Sequence, residues 1–299
     1  MTLVIAATGR ESIWIATDRR LSASGKAICD DAVKIMRLER KDEVALLGYS
    51  GLGRTSDGTQ PSDWMNAVLR DRNEPLVQSL EILGGAIDRQ IPKYMLRVPG
   101  VGDAAHVVLA PAFVAEKPTL YRLKLDIDAK DKQHSISVEQ ENEGPPRHAR
   151  IAIAGSGTRL VKNSHTRQLA RLVSRHEKTK GKLSAFSVAR EFAEVIVEVS
   201  GKERTVGSDC IVAWQYRRNG PIKLSPGFQA FNGLDKATGD LTLPWNGNGM
   251  DIGAIANAVL PFMVDVLARA RAGGKDERPD EAAINDALSK LPSGPDEKL

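Results

Sequence analysis

TLVIAATGRESIWIATDRRLS, residues 2–22, is the stretch from which the fold can be read. Residues 2–8 (TLVIAAT) and 12–17 (SIWIAT) are short, apolar and β-branched, and they flank a Gly9-Arg10-Glu11 turn, which predicts a β-hairpin. So little polarity on either run predicts a sheet buried on at least one face. A polar loop leads to 34–38 (KIMRL) and 44–49 (VALLGY), a second hairpin around the charged residues 39–43. Thr2, Val4 and Ala6 share one strand face, and Lys34, Met36 and Leu38 share another. Thr2 and Lys34 are both expected to point between two sheets.

Further along, 53–61 reads as a loop, and Ser62 or Asp63 caps a helix over 63–71. Leu76, Leu80, Leu83, Ile87 and Ile91 keep helical spacing and predict a helix ending at Pro92. Strands return at 105–110 and 119–125, and the polar stretch 128–148 reads as an exposed insertion holding one strand, HSISVEQ. A strand at 150–154 ends in Gly155-Ser156-Gly157 and is followed by helices at 158–177 and 184–199. A last hairpin joins 208–217 to 221–225 through Asn219-Gly220. This order of strands and helix pairs predicts an α+β fold with two stacked sheets and helices on both outer faces.

Residues 1–225 therefore read as one domain and 226–299 as a C-terminal extension. Within the extension, 226–250 reads as a loop, and 251–271 as a helix bent at Pro261 that packs on the outer surface or at a subunit contact. A charged tail follows, with a short helix at 279–290 and a frayed end beyond Pro292.

Composition narrows the function classes. The 299 residues are 41% hydrophobic and 27% charged, as in an ordinary globular chain. A net charge of +4, scattered lysines and arginines and 5% aromatics give no support for a nucleic-acid partner. No apolar run reads as long enough to span a membrane, and the first residues lack the features of a secretory leader. Cys29 and Cys210 build no disulfide framework, which favours the cytoplasm. His106, His134, His148, His165 and His176 lack ligand spacing and are expected in surface or capping roles.

Thr2 carries the chemistry. If Met1 is removed, the threonine gains a free α-amine, so nucleophile and base sit on one residue. The amine's ordinary pKa of about 7.7–8.0 suits a general base near neutrality. Asp18 follows Thr2 by 16 residues and Lys34 by 32. A lysine ammonium beside the hydroxyl favours developing negative charge, and a buried lysine needs a partner such as Asp18.

These spacings, with LLGYSGLG at 46–53 and IAIAGSGTRL at 151–160, resemble proteasome β subunits and the bacterial protease subunit HslV, which are N-terminal-nucleophile hydrolases. The resemblance covers residues 2–225 and implies a four-layer αββα sandwich. It assigns Thr2 as nucleophile, Asp18 and Lys34 as the paired carboxylate and lysine, Gly51 as oxyanion donor, and Ser156 as a serine bonding the amine and Asp18. Tyr49, Ser50, Gly51 and Ser22 fall at substrate-binding positions. Gly207, Cys210 and Ala213, in VGSDCIVAW, fall where backbone carbonyls hold a monovalent cation such as Na+; no other cofactor is implied. Two departures stand out. Glu203 or Arg204 falls where the proteasome's Asp-x-x-Ser-Gly motif begins, and Gly53-Arg54 replaces an alanine-aspartate pair.

The activity so implied is a threonine-dependent peptidase subunit of a homo-oligomeric ring, acting on peptides or unfolded proteins, with any ATPase unfoldase a separate protein. The same centre would serve an amidohydrolase acting on a small amide. A non-catalytic ring subunit would keep Met1 and block Thr2.

Overall fold

The computed structural model describes residues 2–23, 26–51, 59–95, 106–127, 134–141, 148–237, 241–271 and 279–298. Met1, Gly53 and Arg54 lie outside the described residues, as does most of the predicted 128–148 insertion. The first third holds β1 (Leu3–Thr8), β2 (Ser12–Asp18), β3 (Leu21–Ala23), β4 (Lys26–Cys29), β5 (Ile35–Arg40), β6 (Glu43–Ser50), α1 (Pro61–Val68) and α2 (Leu76–Met95). The middle holds β7 (His106–Val114), β8 (Lys117–Ile127), β9 (His134–Gln140), β10 (Arg150–Gly155), α3 (Asn163–Lys178), α4 (Ala185–Ser200) and β11 (Cys210–Tyr216). The remainder holds β12 (Gly227–Asn232), β13 (Asp235–Lys236), β14 (Trp245–Gly247), β15 (Met250–Asp251), α5 (Ile252–Arg271) and α6 (Glu281–Ser289).

The chain is a mixed α+β protein with two large sheets. One is ordered β10-β1-β2-β11-β12-β13, the other β15-β14-β5-β6-β7-β8-β9; β3 and β4 form a small ribbon. The opening hairpin pairs Val4 with Thr17 and Thr8 with Ile13, and the second pairs Ile35 with Gly48. Alternation along β1 accounts for its unbroken apolar sequence. Val4 and Ala6 join a cluster with Ile35, Leu46, Leu109 and Phe113 of the second sheet. Leu3, Ile5 and Ala7 join a cluster with Val173, Phe192 and Ile196 of α3 and α4. A third cluster packs Met36, Leu38 and Leu47 under Trp64 of α1 and Leu80 and Leu83 of α2. A strand buried on both faces has no polar face to show.

Several expectations need correction. Met36 and Leu38 face α1 and α2, so the alternation assigned to Lys34 does not hold. Lys34 precedes β5, in irregular backbone where strand parity does not apply. Helix α1 starts at Pro61, a residue suited to a first turn because it has no N–H to satisfy, with Gln60 before it. Ser62 is no cap; its hydroxyl donates to the Val33 carbonyl at 2.9 Å. The 158–177 helix splits into a 3-10 turn at Thr158–Leu160 and α3. The partner of β11 is β12 rather than 221–225.

The stretch expected as a loop at 226–250 carries four strands that extend both sheets: β12 pairs with β11, and β14 pairs in parallel with β5. Their polar and glycine-rich sequence hides them because each contributes two to six residues at a sheet edge. The end beyond Pro292 is docked, not frayed. Glu297 bridges Arg72 at 3.1 Å and Arg89 at 2.6 Å, and the Asp296 N–H donates to the Ala67 carbonyl at 3.0 Å. Helix α5, against expectation, is long and apolar enough to cross a bilayer by length and composition, with mean hydropathy 1.5. It also carries Pro261, Asp265 and Arg269.

Candidate active site

Three sequence-distant residues converge where the two hairpins meet. Thr2 lies immediately before β1, Asp18 ends β2 and Lys34 precedes β5. All three are buried, at 3%, 0% and 1% exposure. Lys34 Nζ donates to Thr2 Oγ1 at 2.7 Å, to Asp18 Oδ2 at 3.2 Å and to the Arg20 carbonyl at 2.6 Å. An ammonium has three N–H donors and no lone pair, and here all three are used. Burial pushes the Lys34 pKa down, and the Asp18 charge opposes that. The geometry thus accommodates a charged lysine beside the threonine oxygen. A lysine so bonded can stabilise an alkoxide but has no lone pair to accept the hydroxyl proton.

Asp18 is held from several sides. Its Oδ1 accepts from the Leu3 N–H at 2.8 Å, and its Oδ2 from the N–H groups of Arg20 at 3.0 Å and Gly207 at 3.1 Å. These donors, with Lys34, offset the cost of burying the carboxylate. The Arg20 carbonyl is itself fixed, because the Arg20 guanidinium forks onto Asp30 at 2.6 and 2.9 Å and reaches the Arg204 carbonyl at 3.2 Å. On the other side, Gln60 Oε1 accepts from the Val33 N–H at 2.5 Å, setting the backbone just before Lys34.

Gly155-Ser156 closes the site against Thr2. The Ser156 N–H donates to the Thr2 carbonyl at 3.0 Å. Gly155 has φ of +101°, and a Cβ there would lie 1.7 Å from the Thr2 carbonyl oxygen, so only glycine fits. The same Cβ would lie 2.8 Å from Ser50 Oγ, which sets Ser50 beside this junction.

The Ser156 hydroxyl departs from expectation. Its partner is Thr205 Oγ1 at 2.8 Å, while the Asp18 carboxylate is occupied by Lys34 and backbone N–H groups. Thr205 in turn donates its hydroxyl to Glu203 Oε1 at 2.8 Å, and these hydrogen bonds hold the Glu203 carboxyl below its usual range. With the Thr205 proton directed at Glu203, Ser156 is the donor to Thr205. Its lone pairs then remain for another donor. Glu203 stood out in the sequence only as a departure from a motif. Thr205 had no sequence signal, because its place depends on the turn after α4.

Tyr49 is buried at the end of β6, where its N–H donates to the Lys34 carbonyl at 3.0 Å. Gly51 follows Ser50 just past β6. Ser22 is half-buried in β3, two residues beyond Arg20. Of the three residues expected to hold a cation through their carbonyls, two lie in one strand and turn those carbonyls apart. Cys210 and Ala213 lie in β11, bordered by β2 and β12, and carbonyls three residues apart in a strand point to opposite neighbours. Gly207 donates its N–H to Asp18. Burial, followed by the Asp18 and Asp209 charges, pushes the Cys210 thiol pKa well up, which leaves it unreactive. Among the described residues no cluster of three metal-ligating side chains occurs.

The surface or capping role expected for the histidines fails at two positions. His106 and His176 are buried, at 1% and 0% exposure. His176 bonds the Leu183 carbonyl at 2.6 Å and Tyr216 at 3.1 Å, joining α3 to β11.

No family model matches the chain, and no curated protein matches it.

Proposed function

We propose that the protein is an N-terminal threonine hydrolase that cleaves amide bonds, most specifically a peptidase subunit. The observation that carries this reading is the 2.7 Å bond from Lys34 Nζ to Thr2 Oγ1, made by a buried lysine whose other two donors are also occupied. In this mechanism the chain is cut before Thr2, and the freed α-amine takes the hydroxyl proton. Thr2 Oγ attacks the carbonyl carbon while Lys34 favours the developing alkoxide. Gly51 supplies an N–H to the oxyanion, a contribution of about 3 kcal/mol in comparable sites. The C–N bond breaks, the leaving amine takes the proton back from the α-ammonium, and water hydrolyses the ester left on Thr2. Ser156, backed by Thr205 and Glu203, accepts a hydrogen bond from the α-amine and holds its lone pair toward Oγ.

Supporting this reading are the three apolar clusters, which stack as a helix–sheet–sheet–helix αββα sandwich of N-terminal-nucleophile type would require. The same reading includes a ring of identical subunits, with α5 as a surface available to such contacts. Substitution Thr2→Ala tests the proposal. Hydrolysis of a fluorogenic peptide should fall by about 10³-fold or more, and unchanged hydrolysis would remove the nucleophile from the account.

A further inference from the structure

His106 has no part in the mechanism above, yet its surroundings point to one. It opens β7, and the β6–β7 register pairs Ser50 with Val107, which sets His106 across from Gly51. His106 Nδ1 lies 2.7 Å from Tyr49 Oη. This bonded pair covers the α-carbon of Gly51: a Cβ added there would lie 2.3 Å from His106 Nδ1 and 2.6 Å from Tyr49 Oη. Gly51 is thereby held against a side-chain pair, with no room for a larger residue. The Tyr49 N–H meanwhile binds the carbonyl of Lys34, so one residue touches the lysine's backbone and, through its hydroxyl, the glycine's wall.

The other ring nitrogen, His106 Nε2, is buried and has no hydrogen-bond partner among the described residues. Buried polar atoms without partners are rare in folded proteins and often mark groups kept for a role other than stability. An apolar side chain of similar size would fill the same space without stranding a nitrogen. What only a polar ring supplies here is the bond that orients Tyr49 over Gly51.

We infer that His106 is a positioning residue that, through Tyr49, fixes the Gly51 peptide so that its N–H meets the oxyanion. The inference rests on the hydrolase reading above. A group acting in this way stabilises the transition state more than bound substrate, so its loss lowers kcat and leaves KM nearly unchanged.

The test uses the full-length protein and counts working sites with a peptide vinyl sulfone, which alkylates an active threonine without forming a tetrahedral oxyanion at carbon. In His106→Leu, kcat per labelled site should fall about tenfold or more, with KM within about twofold of the native value. His106→Gln, whose amide can still bond Tyr49, should recover part of that loss. Should His106→Leu fail to fold, Tyr49→Phe removes only the hydroxyl that His106 holds and should lower kcat per labelled site in the same way. Native kcat per labelled site in either folded variant, or a loss residing wholly in KM, overturns the inference. A native protein that takes no label at Thr2 overturns the hydrolase reading and this inference with it.

Discussion

The Thr2 site and helix α5 are opposites in construction. At the site, three ionisable or polar side chains are sealed from water, and Asp18 alone takes bonds from Leu3, Arg20, Gly207 and Lys34. Helix α5 is apolar, with a mean hydropathy of 1.5, yet none of its residues is buried, and Leu260, Val264 and Leu267 are each more than half exposed. Polar groups inside and apolar groups outside both run against the usual sorting of residues. At the site, the polar groups are offset by reciprocal hydrogen bonds, and under the proposed hydrolase reading the reason for the inversion is chemical. Among the described residues nothing covers the exposed face of α5, which directs attention to what lies beyond them.

The largest break in that comparison should come from Lys34. Lys34→Met should lower peptide hydrolysis about 10³-fold, because the alkoxide loses its cation. Peptide turnover per folded protein reads this directly, and a loss below tenfold would make the buried pair merely structural. Gly155→Ala comes next. Its Cβ has no room beside the Thr2 carbonyl, and its φ of +101° resists any other residue. A loss of about 3 kcal/mol in denaturant unfolding is expected, with activity falling alongside.

Acid should separate His106 from its neighbours. Burial pushes its pKa from 6.5 to about 4, so the folded protein keeps it neutral while the unfolded chain protonates it. Its contribution is complete above 6.5 and is lost as pH falls toward 4. Wild type should therefore lose about 3 kcal/mol more than His106→Leu between pH 7 and pH 4, read from urea unfolding at each pH. The smallest effect belongs to α5. Replacing Leu260 and Leu267 with glutamine should change unfolding of the dilute protein by no more than about 0.5 kcal/mol. A larger loss would mean that α5 is covered in solution, and the contrast with the site would weaken.

Legibility in the sequence follows the same division. The opening hairpins were readable because β1 and β2 are buried on both faces and leave long apolar runs. The spacing of Asp18 and Lys34 from Thr2 drew notice because it resembles that of N-terminal-nucleophile hydrolases. Tertiary placement was not. Ser156 was expected on Asp18 and bonds Thr205 instead, which only the turn after α4 brings near. His106 looked like any isolated histidine until β7 set it opposite Gly51. The strands between 227 and 251 were hidden because sheet edges tolerate the glycines and polar residues that signal loops. The docked end beyond Pro292 was hidden because arginines on α1–α2 and a distant Glu297 leave no local pattern.

The central claim is that Thr2 works as a free N-terminal nucleophile. Intact-mass measurement of the purified protein, before and after treatment with a peptide vinyl sulfone, tests it most directly. The account predicts a mass lacking Met1 and a single adduct that peptide mapping assigns to Thr2. Retained Met1 with no adduct at Thr2 would contradict it.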